Sequence, residues 1–169
     1  MPKTTLKEET TIDIFTLDKK DLAILSLLQE NARITVKEIS EKIHLSTTPV
    51  HERIKRMEAE GVIKQYVTIV DHIKVKKGLM VICYVSIKEH SKNAGTKFIK
   101  SINAMNEVIE CYSISGEFDF MLKIAVESMD AYYNFHVNKL SLTENIGHVQ
   151  SVFVMGVIKD TVKLVYSPL

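Results

Sequence analysis

Apolar residues recur at helical spacing in the N-terminal third of the chain. A stripe that repeats every three to four residues predicts a helix opening at Asp18. A second stripe follows Thr35, which forms a capping box with Glu38 and so marks a second helix start. The apolar positions are Leu22, Ile24, Leu25 and Leu28 in the first stripe and Val36, Ile39 and Ile43 in the second.

The stretch LSTTPVHERIKRMEAEGVI, residues 45–63, predicts a third helix. Ser46 is a suitable N-cap, and Pro49 falls in the first turn, where a missing backbone N–H costs nothing. Gly61 is predicted to follow the C-terminal end of the helix, at the C′ position. Three residues, HLS, separate the second helix from the third, which is the spacing of a helix-turn-helix. The buried face is expected to be Val50, Ile54 and Met57.

The pattern then changes to that of strands. VIKQYVTIV, residues 62–70, predicts a strand, and the polar DHIKVKKG that follows could supply the return strand of a small wing. From residue 79 onward the predicted order is β-α-β-β-α-β, with VKLVY, residues 162–166, as a short last strand. The strands are 79–89, 106–116, 118–127 and 148–159, and the helices are 93–105 and 128–140. The inward helix positions are Phe98, Ile99, Ile102, Tyr132, Phe135 and Leu140.

This order of elements predicts an α+β chain with two domains. A winged helix-turn-helix is followed by a ferredoxin-like βαββαβ domain, in which two helices cover one face of the sheet. The boundaries are a mobile arm at 1–16, the helix-turn-helix at 17–66, a wing or linker at 67–78 and the second domain at 79–169. Strands such as VICYV are apolar on both sides, so we expect the uncovered sheet face to form a dimer.

Composition narrows the class of protein. The chain of 169 residues is 46% apolar and 25% charged, with a net charge of +1, which is the usual balance of a globular protein. No apolar run approaches the ~20 residues of a membrane span, and the N-terminus has no apolar signal region, so a cytoplasmic location is expected. Cys83 and Cys111 lie far apart in apolar stretches and are expected to be reduced core residues.

Motifs for catalysis or metal binding are not found in the sequence. The six glycines form neither a phosphate loop nor a dinucleotide fingerprint. His44 and His51 are seven residues apart, whereas a metal pair on one helix face needs a spacing of three or four. We therefore expect no enzyme activity, no cofactor and no metal site.

The start of the third helix carries the chemistry of a DNA-recognition helix. Thr47, Thr48 and His51 lie off the apolar stripe, where short or planar polar groups can contact base edges. Ser46 begins the helix, whose N-terminus attracts a phosphate. Basic residues one turn later suit further phosphates, namely Arg53, Lys55 and Arg56. The alternative interpretation is a solvated basic face with an ordinary N-cap.

The run from Leu17 to Tyr66 resembles the N-terminal domain of Lrp/AsnC (feast/famine) transcription regulators. VIECYSISGEFDFMLKIAVESMDAYYNF, residues 108–135, resembles that family's effector and oligomerisation domain, with its Gly-x-x-Asp turn at Gly116 to Asp119. The resemblance implies a regulator that binds double-stranded DNA and dimerises through the C-terminal sheet. It also implies assembly into an octamer and an amino-acid effector bound between dimers. The features that match in the first run are Leu17, Asp18, Asp21, residues 29–33, Leu45, Ser46, Val50, Arg53, Ile54, Arg56, Glu58, Gly61 and Ile63.

The resemblance also assigns effector-binding residues. Gly116 would let the ligand approach the backbone, and Asp119 would receive an ammonium group. The other assigned residues are Tyr112, Ser113, Ser115, Ser151 and Met155. Val149 stands in TENIGHVQS where many members carry a threonine, which leaves an effector-independent architectural DNA-binding protein as the alternative. From the residues alone, Asp119 could equally be a turn acid, and Tyr112 and Met155 could be core.

Overall fold

The computed structural model describes residues 16–166 and divides them into two compact units. The N-terminal unit contains residues 16–68 together with 160–166, and the C-terminal unit contains residues 69–159. Apart from Thr16, the predicted arm at 1–16 lies outside the described residues. Residues 160–166 belong with the N-terminal unit, which differs from the predicted C-terminal domain of 79–169.

Three helices form the N-terminal unit: α1 (Lys19–Glu30), α2 (Val36–Ile43) and α3 (Thr47–Ala59). All three were predicted from the apolar stripes, and those stripes form the core. Its fully or nearly fully buried side chains are Ile24, Leu25, Ile39, Ile43, Val50, Ile54 and Met57. The short connection of His44, Leu45 and Ser46 between α2 and α3 gives the helix-turn-helix its compact turn.

The helix starts follow the predicted caps. The Asp18 carboxylate accepts hydrogen bonds from the backbone N–H groups of Lys20 and Asp21, each at 2.8 Å. The Thr35 hydroxyl accepts from the Glu38 N–H, and the Glu38 carboxylate accepts in return from the Thr35 N–H, as a capping box requires. Ser46 occupies the N-cap of α3, but its side chain makes no capping hydrogen bond.

The strand predicted at residues 62–70 is absent, so that prediction is wrong, and residues 71–78 form a polar link rather than a return strand. Residues 64–70 form no strand, and residues 71–77 form a turn in which the Asp71 carboxylate accepts from the N–H groups of Ile73 and Lys74. VKLVY, residues 162–166, is likewise not a strand. The β-branched residues favour extended backbone, but a strand also needs a neighbour to hydrogen-bond with, and the described chain supplies none here.

The C-terminal unit has the predicted β-α-β-β-α-β order. Its elements are β1 (Leu79–Ile87), α4 (Lys92–Asn103), β2 (Val108–Ser113), β3 (Phe120–Val126), α5 (Met129–Asn138), a short 3-10 helix (Leu140–Leu142) and β4 (Ile146–Phe153). The strands form one antiparallel sheet in the order β2-β3-β1-β4, so β1 and β3 are central and β2 and β4 are edges. This is the ferredoxin-like arrangement.

Helices α4 and α5 cover one face of this sheet. Alternate residues of β1, namely Val81, Cys83 and Val85, are fully buried against the helices, which contribute Phe98 and Tyr132 among others. Ile99 was predicted to point inward with Phe98 and Ile102, but it is 46% exposed. The opposite face of the sheet carries Ile82 and Tyr84 of β1, which are only half-buried.

The two cysteines are both free, as expected, but they differ in burial. Cys83 is buried in the core, whereas Cys111 lies on the edge strand β2 and is exposed, so the prediction of a core position is wrong for Cys111. Within residues 16–166, no helix combines the length and apolar character of a membrane span.

Candidate DNA-binding and effector sites

The N-terminal face of α3 is polar and exposed. Ser46, Thr47, Thr48, His51 and Lys55 are all exposed, while the opposite face of the helix is buried in the unit. Thr47, His51 and Lys55 are spaced by four, so they form one row along the helix surface. The structure therefore brings these predicted residues together on one open surface that begins at a helix N-terminus.

Arg53 and Arg56 face a different way, toward the start of α1. The Arg53 guanidinium (Nη1) donates to Asp18 Oδ2 at 2.6 Å and to Asp21 Oδ1 at 2.7 Å, and Arg56 Nη2 donates to Asp21 Oδ2 at 2.8 Å. Asp21 is fully buried, and its Oδ2 also accepts from the backbone N–H of Asp18. One buried carboxylate therefore joins the N-cap of α1 to two arginines of α3.

The ion-pair cluster formed by Asp18, Asp21, Arg53 and Arg56 gives the two arginines a structural role, because it holds α3 on α1. Their predicted phosphate contacts stay predictions. The hydrogen bond from the Asp21 N–H and the neighbouring Arg53 keep the pKa of Asp18 below its usual value, and the two carboxylates raise the pKa of Arg53. A sequence signal could have predicted this cluster. One helix begins with two acids, at its N-cap and N3 positions, and a later helix carries two arginines three residues apart.

The turn between β2 and β3 places Asp119 at the end of the sheet. Asp119 Oδ2 accepts a hydrogen bond from the Ile87 N–H at 2.8 Å, and Oδ1 lies 3.4 Å from His90 Nδ1. The Asp119 backbone is also fixed, because its N–H donates to Val85 O and its carbonyl accepts from the Ile114 N–H. Asp119 remains 28% exposed, so its carboxylate is both positioned by the backbone and open to solvent.

The rest of the turn is exposed. Gly116 has φ of 117°, a conformation that a side chain would strain, and a Cβ added there would meet no atom within 4 Å. Ser113 and Ser115 flank it on the exposed side. Tyr112 lies on β2, on the open face of the sheet. Its hydroxyl donates to the Glu110 carboxylate, so this predicted effector residue already has a hydrogen-bond partner.

Ser151 and Met155 do not join this group within one chain. Ser151 pairs with Cys83 and faces the helices, where its hydroxyl is 2.5 Å from Tyr132 Oη. Met155 follows the end of β4, beside the start of β1, whereas Asp119 lies at the other end of β1. The two ends are separated by about 20 Å of strand, so Met155 reaches an Asp119 site only from another copy of the chain. Ser151 makes a partly buried hydrogen bond beside the helices, and its predicted ligand contact stays a prediction.

Replacing Tyr132 with phenylalanine is expected to lower the free energy of unfolding by about 1–2 kcal/mol. The Tyr132 hydroxyl lies 3.1 Å from Cys83 Sγ as well as 2.5 Å from Ser151 Oγ, and burial raises the pKa of Tyr132. Urea denaturation would measure the loss. Tyr133→Phe is the matched control, since Tyr133 is 67% exposed, and equal stability of the two variants would contradict a structural role for the hydroxyl.

Other features of the C-terminal unit lie close to the turn. Phe118 contacts Tyr84 with ring centroids 5.5 Å apart and stacks on His148 at 6.0 Å, so aromatic surface adjoins Asp119 on the open sheet face. An open cavity of about 360 Å³ lies where β1 leads into α4, but none of the predicted effector residues lines it.

Among residues 16–166, no group of three or more histidine, cysteine or acidic side chains is arranged to hold a metal ion.

Two family models match the chain. Residues 17–64 match a winged helix-turn-helix DNA-binding model, and residues 80–164 match the Lrp/AsnC ligand binding domain. The first match ends at residue 64, within the segment 62–70 in which the predicted strand is missing. The two matched segments together cover the same two parts of the chain on which the predicted DNA-binding and effector residues lie.

Proteins named as regulators match this chain over nearly their whole length. A glutamate uptake regulatory protein of Zymomonas mobilis is 37% identical over 148 residues, covering 86% of this chain and 88% of that protein. A leucine-responsive regulatory protein of Haemophilus influenzae is 33% identical, covering 86% and 87%. The transcriptional regulator NMB0573 of Neisseria meningitidis, solved in complex with L-Met, is 36% identical with a TM-score of 0.84, covering 88% of this chain and 96% of that one.

Proposed function

Because the chain belongs to the Lrp/AsnC family of DNA-binding transcriptional regulators, we propose that it binds duplex DNA through the exposed face of α3. We propose further that an amino acid bound at the turn between β2 and β3 modulates this binding. The observation that carries the proposal is that each of the two units presents one suitable surface. One unit presents an exposed polar helix start, and the other presents a positioned carboxylate beside a glycine turn.

The DNA-contacting part of the proposal rests on four exposed side chains of α3. Thr47, Thr48 and His51 offer hydrogen bonds to base edges, and a threonine methyl can also contact thymine. Lys55 is exposed one turn later and, among the described residues, forms no ion pair, so it suits a backbone phosphate. Ser46 leaves the α3 N-terminus uncapped by its side chain, which adds N–H groups for a second phosphate.

The effector part of the proposal rests on Asp119 and Gly116. Asp119 Oδ2 is engaged by the Ile87 N–H, which fixes the carboxylate while leaving its charge available to an ammonium group. The His90 imidazole beside Oδ1 is 70% exposed and can move away when a ligand arrives. Gly116 leaves open space at the turn for a ligand to approach the backbone. The relative solved with L-Met supports an amino acid as the class of effector.

Self-association through the open sheet face is part of the same proposal. Ile82 and Tyr84 are only half-buried there, and Val152 is 43% exposed. Apolar side chains on a one-layer sheet are stabilised when a second copy covers them. Further assembly of dimers, up to an octamer, would bring Met155 of one copy near Asp119 of another. An effector bound between dimers would then favour one assembly over another and so change the affinity for DNA. By linkage, DNA would change the affinity for the effector by the same factor.

Thermal melting with each of the twenty amino acids tests the effector proposal. At about 100 times its dissociation constant, a bound ligand adds about 2.7 kcal/mol to the stability of the folded state, so we expect one or a few amino acids to raise the Tm. Asp119→Asn keeps an oxygen for the Ile87 N–H but removes the charge. We expect this variant to bind the same amino acid roughly 10-fold or more weakly by calorimetry.

Glu117→Gln is the matched control, because it removes a charge from the same turn at an exposed residue. It should keep the wild-type affinity. An Asp119→Asn variant that binds as tightly as the wild type would refute the ammonium contact. If no amino acid raises the Tm of the wild-type protein, the effector proposal fails and the architectural DNA-binding alternative is favoured, since α3 does not depend on a ligand.

A further inference from the structure

The last described residues of the chain return to the N-terminal unit and bind α1. The Leu164 N–H donates to Gln29 Oε1 at 2.7 Å, and Gln29 Nε2 donates to Leu164 O at 3.2 Å. One side-chain amide therefore satisfies both backbone groups of Leu164, as a neighbouring strand would do.

Two further contacts accompany this attachment: a partly buried hydrogen bond to Tyr166, and an exposed ion pair that contributes little to its stability. Gln29 Nε2 also donates to Tyr166 Oη at 2.6 Å, and the Tyr166 ring packs against the core of α1, α2 and α3. Lys163 forms an ion pair with Glu30, which lowers the pKa of that carboxyl. The Gln29 amide uses both of its N–H donors and its oxygen, so the orientation of the group is fixed by its partners.

The connectivity gives this attachment a mechanical consequence. The C-terminal unit, residues 69–159, is inserted between two parts of the N-terminal unit, so it is joined to that unit by two peptide connections. The first connection follows α3. The second runs from Lys159 to Lys163, four residue steps that span at most about 14 Å when extended. The second connection, between the C-terminal unit and the residues that bind α1, is therefore short.

We propose that residues 160–166, clamped by Gln29, act as a second tether that restrains the N-terminal unit. Gln29 is a positioning residue in this role. From Gln29, α1 runs about 12 Å as a rigid helix to Asp21, which holds Arg53 and Arg56 of α3. A movement of the C-terminal unit therefore acts on both ends of the helix-turn-helix. It acts on α3 through the first peptide connection and on α1 through the tether. The proposal depends on connectivity and contacts, not on the identity of any effector.

Hydrogen exchange of the Leu164 amide in the full-length protein tests the clamp. Gln29→Glu retains the shape and the acceptor but loses both donors, and it places a carboxylate against the Leu164 carbonyl. We expect Leu164 to exchange about tenfold faster in this variant. Glu30→Gln, one residue away, removes only the exposed ion pair and should leave the rate within about twofold. Exchange of wild-type Leu164 at the rate of a free peptide would overturn the clamp.

Rotational freedom of the N-terminal unit tests the tether. A fluorophore on Glu41→Cys, an exposed position of α2, is used in a Cys111→Ser background. Time-resolved anisotropy should decay to a lower residual value with Gln29→Glu than with Glu30→Gln. An equal residual value, although Leu164 is released, would overturn the tether. If Gln29→Glu unfolds the unit, Tyr166→Phe removes only the 2.6 Å bond, and the same two measurements should change in the same direction.

Discussion

Replacing Asp21 with alanine is expected to lower the free energy of unfolding of the N-terminal unit by about 3 kcal/mol. Asp21 is fully buried and binds Arg53 and Arg56 at 2.7 and 2.8 Å. The two arginine side chains are 27% and 48% exposed, so water can solvate them after the change, which keeps the effect at the lower end for a buried ion pair. The loss also removes the acceptor for the Asp18 N–H and so weakens the start of α1.

Urea denaturation followed by circular dichroism at 222 nm would measure this effect, because this signal reports on helices. We expect the unfolding transition of the helical N-terminal unit to move to a lower urea concentration. Glu41→Ala is a matched control, since it removes an exposed acid from α2. Its stability should stay within about 0.5 kcal/mol of the wild type. A double-mutant cycle with Arg53→Ala should show coupling between the two residues. Additive losses would mean that the ion pair contributes nothing beyond the separate side chains.

Replacing Thr48 and His51 together with alanine is expected to weaken binding to a preferred DNA sequence by roughly 30-fold, or about 2 kcal/mol. Both side chains are exposed at the start of α3, so their loss removes base contacts without opening the core. The measurement is fluorescence polarisation with a duplex selected from a random library by the wild-type protein. The affinity for an unselected duplex should change little, because Lys55 and the helix N-terminus still bind phosphate.

Ala59→Ser provides the control for this prediction, since it changes an exposed position at the far end of α3 without changing the charge. It should bind the selected duplex like the wild type. Equal weakening on selected and unselected duplexes would show that Thr48 and His51 contribute only to general affinity. Wild-type binding by the double variant would exclude this face of α3 as the DNA-contacting surface.

Local patterns in the sequence determined most of the helices, strands and caps. Asp18, the Thr35–Glu38 capping box and Gly61 mark helix ends through contacts within a few residues, and the structure has them as predicted. The β-α-β-β-α-β order follows from changes in hydrophobic period, which also require only near neighbours. The exposed polar start of α3 was predictable because the buried stripe of the helix leaves only one other side for its polar residues.

Only the tertiary structure decided which groups meet across long stretches of sequence. The predicted strand at 62–70 failed because a strand depends on a partner that the sequence pattern does not identify. Arg53 and Arg56 suited phosphates by residue type, yet the fold places a buried carboxylate from 32 and 35 residues earlier against them. Gln29 and Leu164 meet across 135 residues.

The predicted effector residues show the same difference between what a local sequence pattern determines and what the tertiary structure decides. The turn from Gly116 to Asp119 is contiguous, so its members stay together in the fold. Ser151 and Met155 come from another strand, and the register of β1 with β4 turned Ser151 toward Tyr132 and placed Met155 at the opposite end of the sheet. Hydrophobic periodicity determines which face of an element is buried. The register and the order of the strands determine which polar side chains share a site, and these depend on the whole core packing at once.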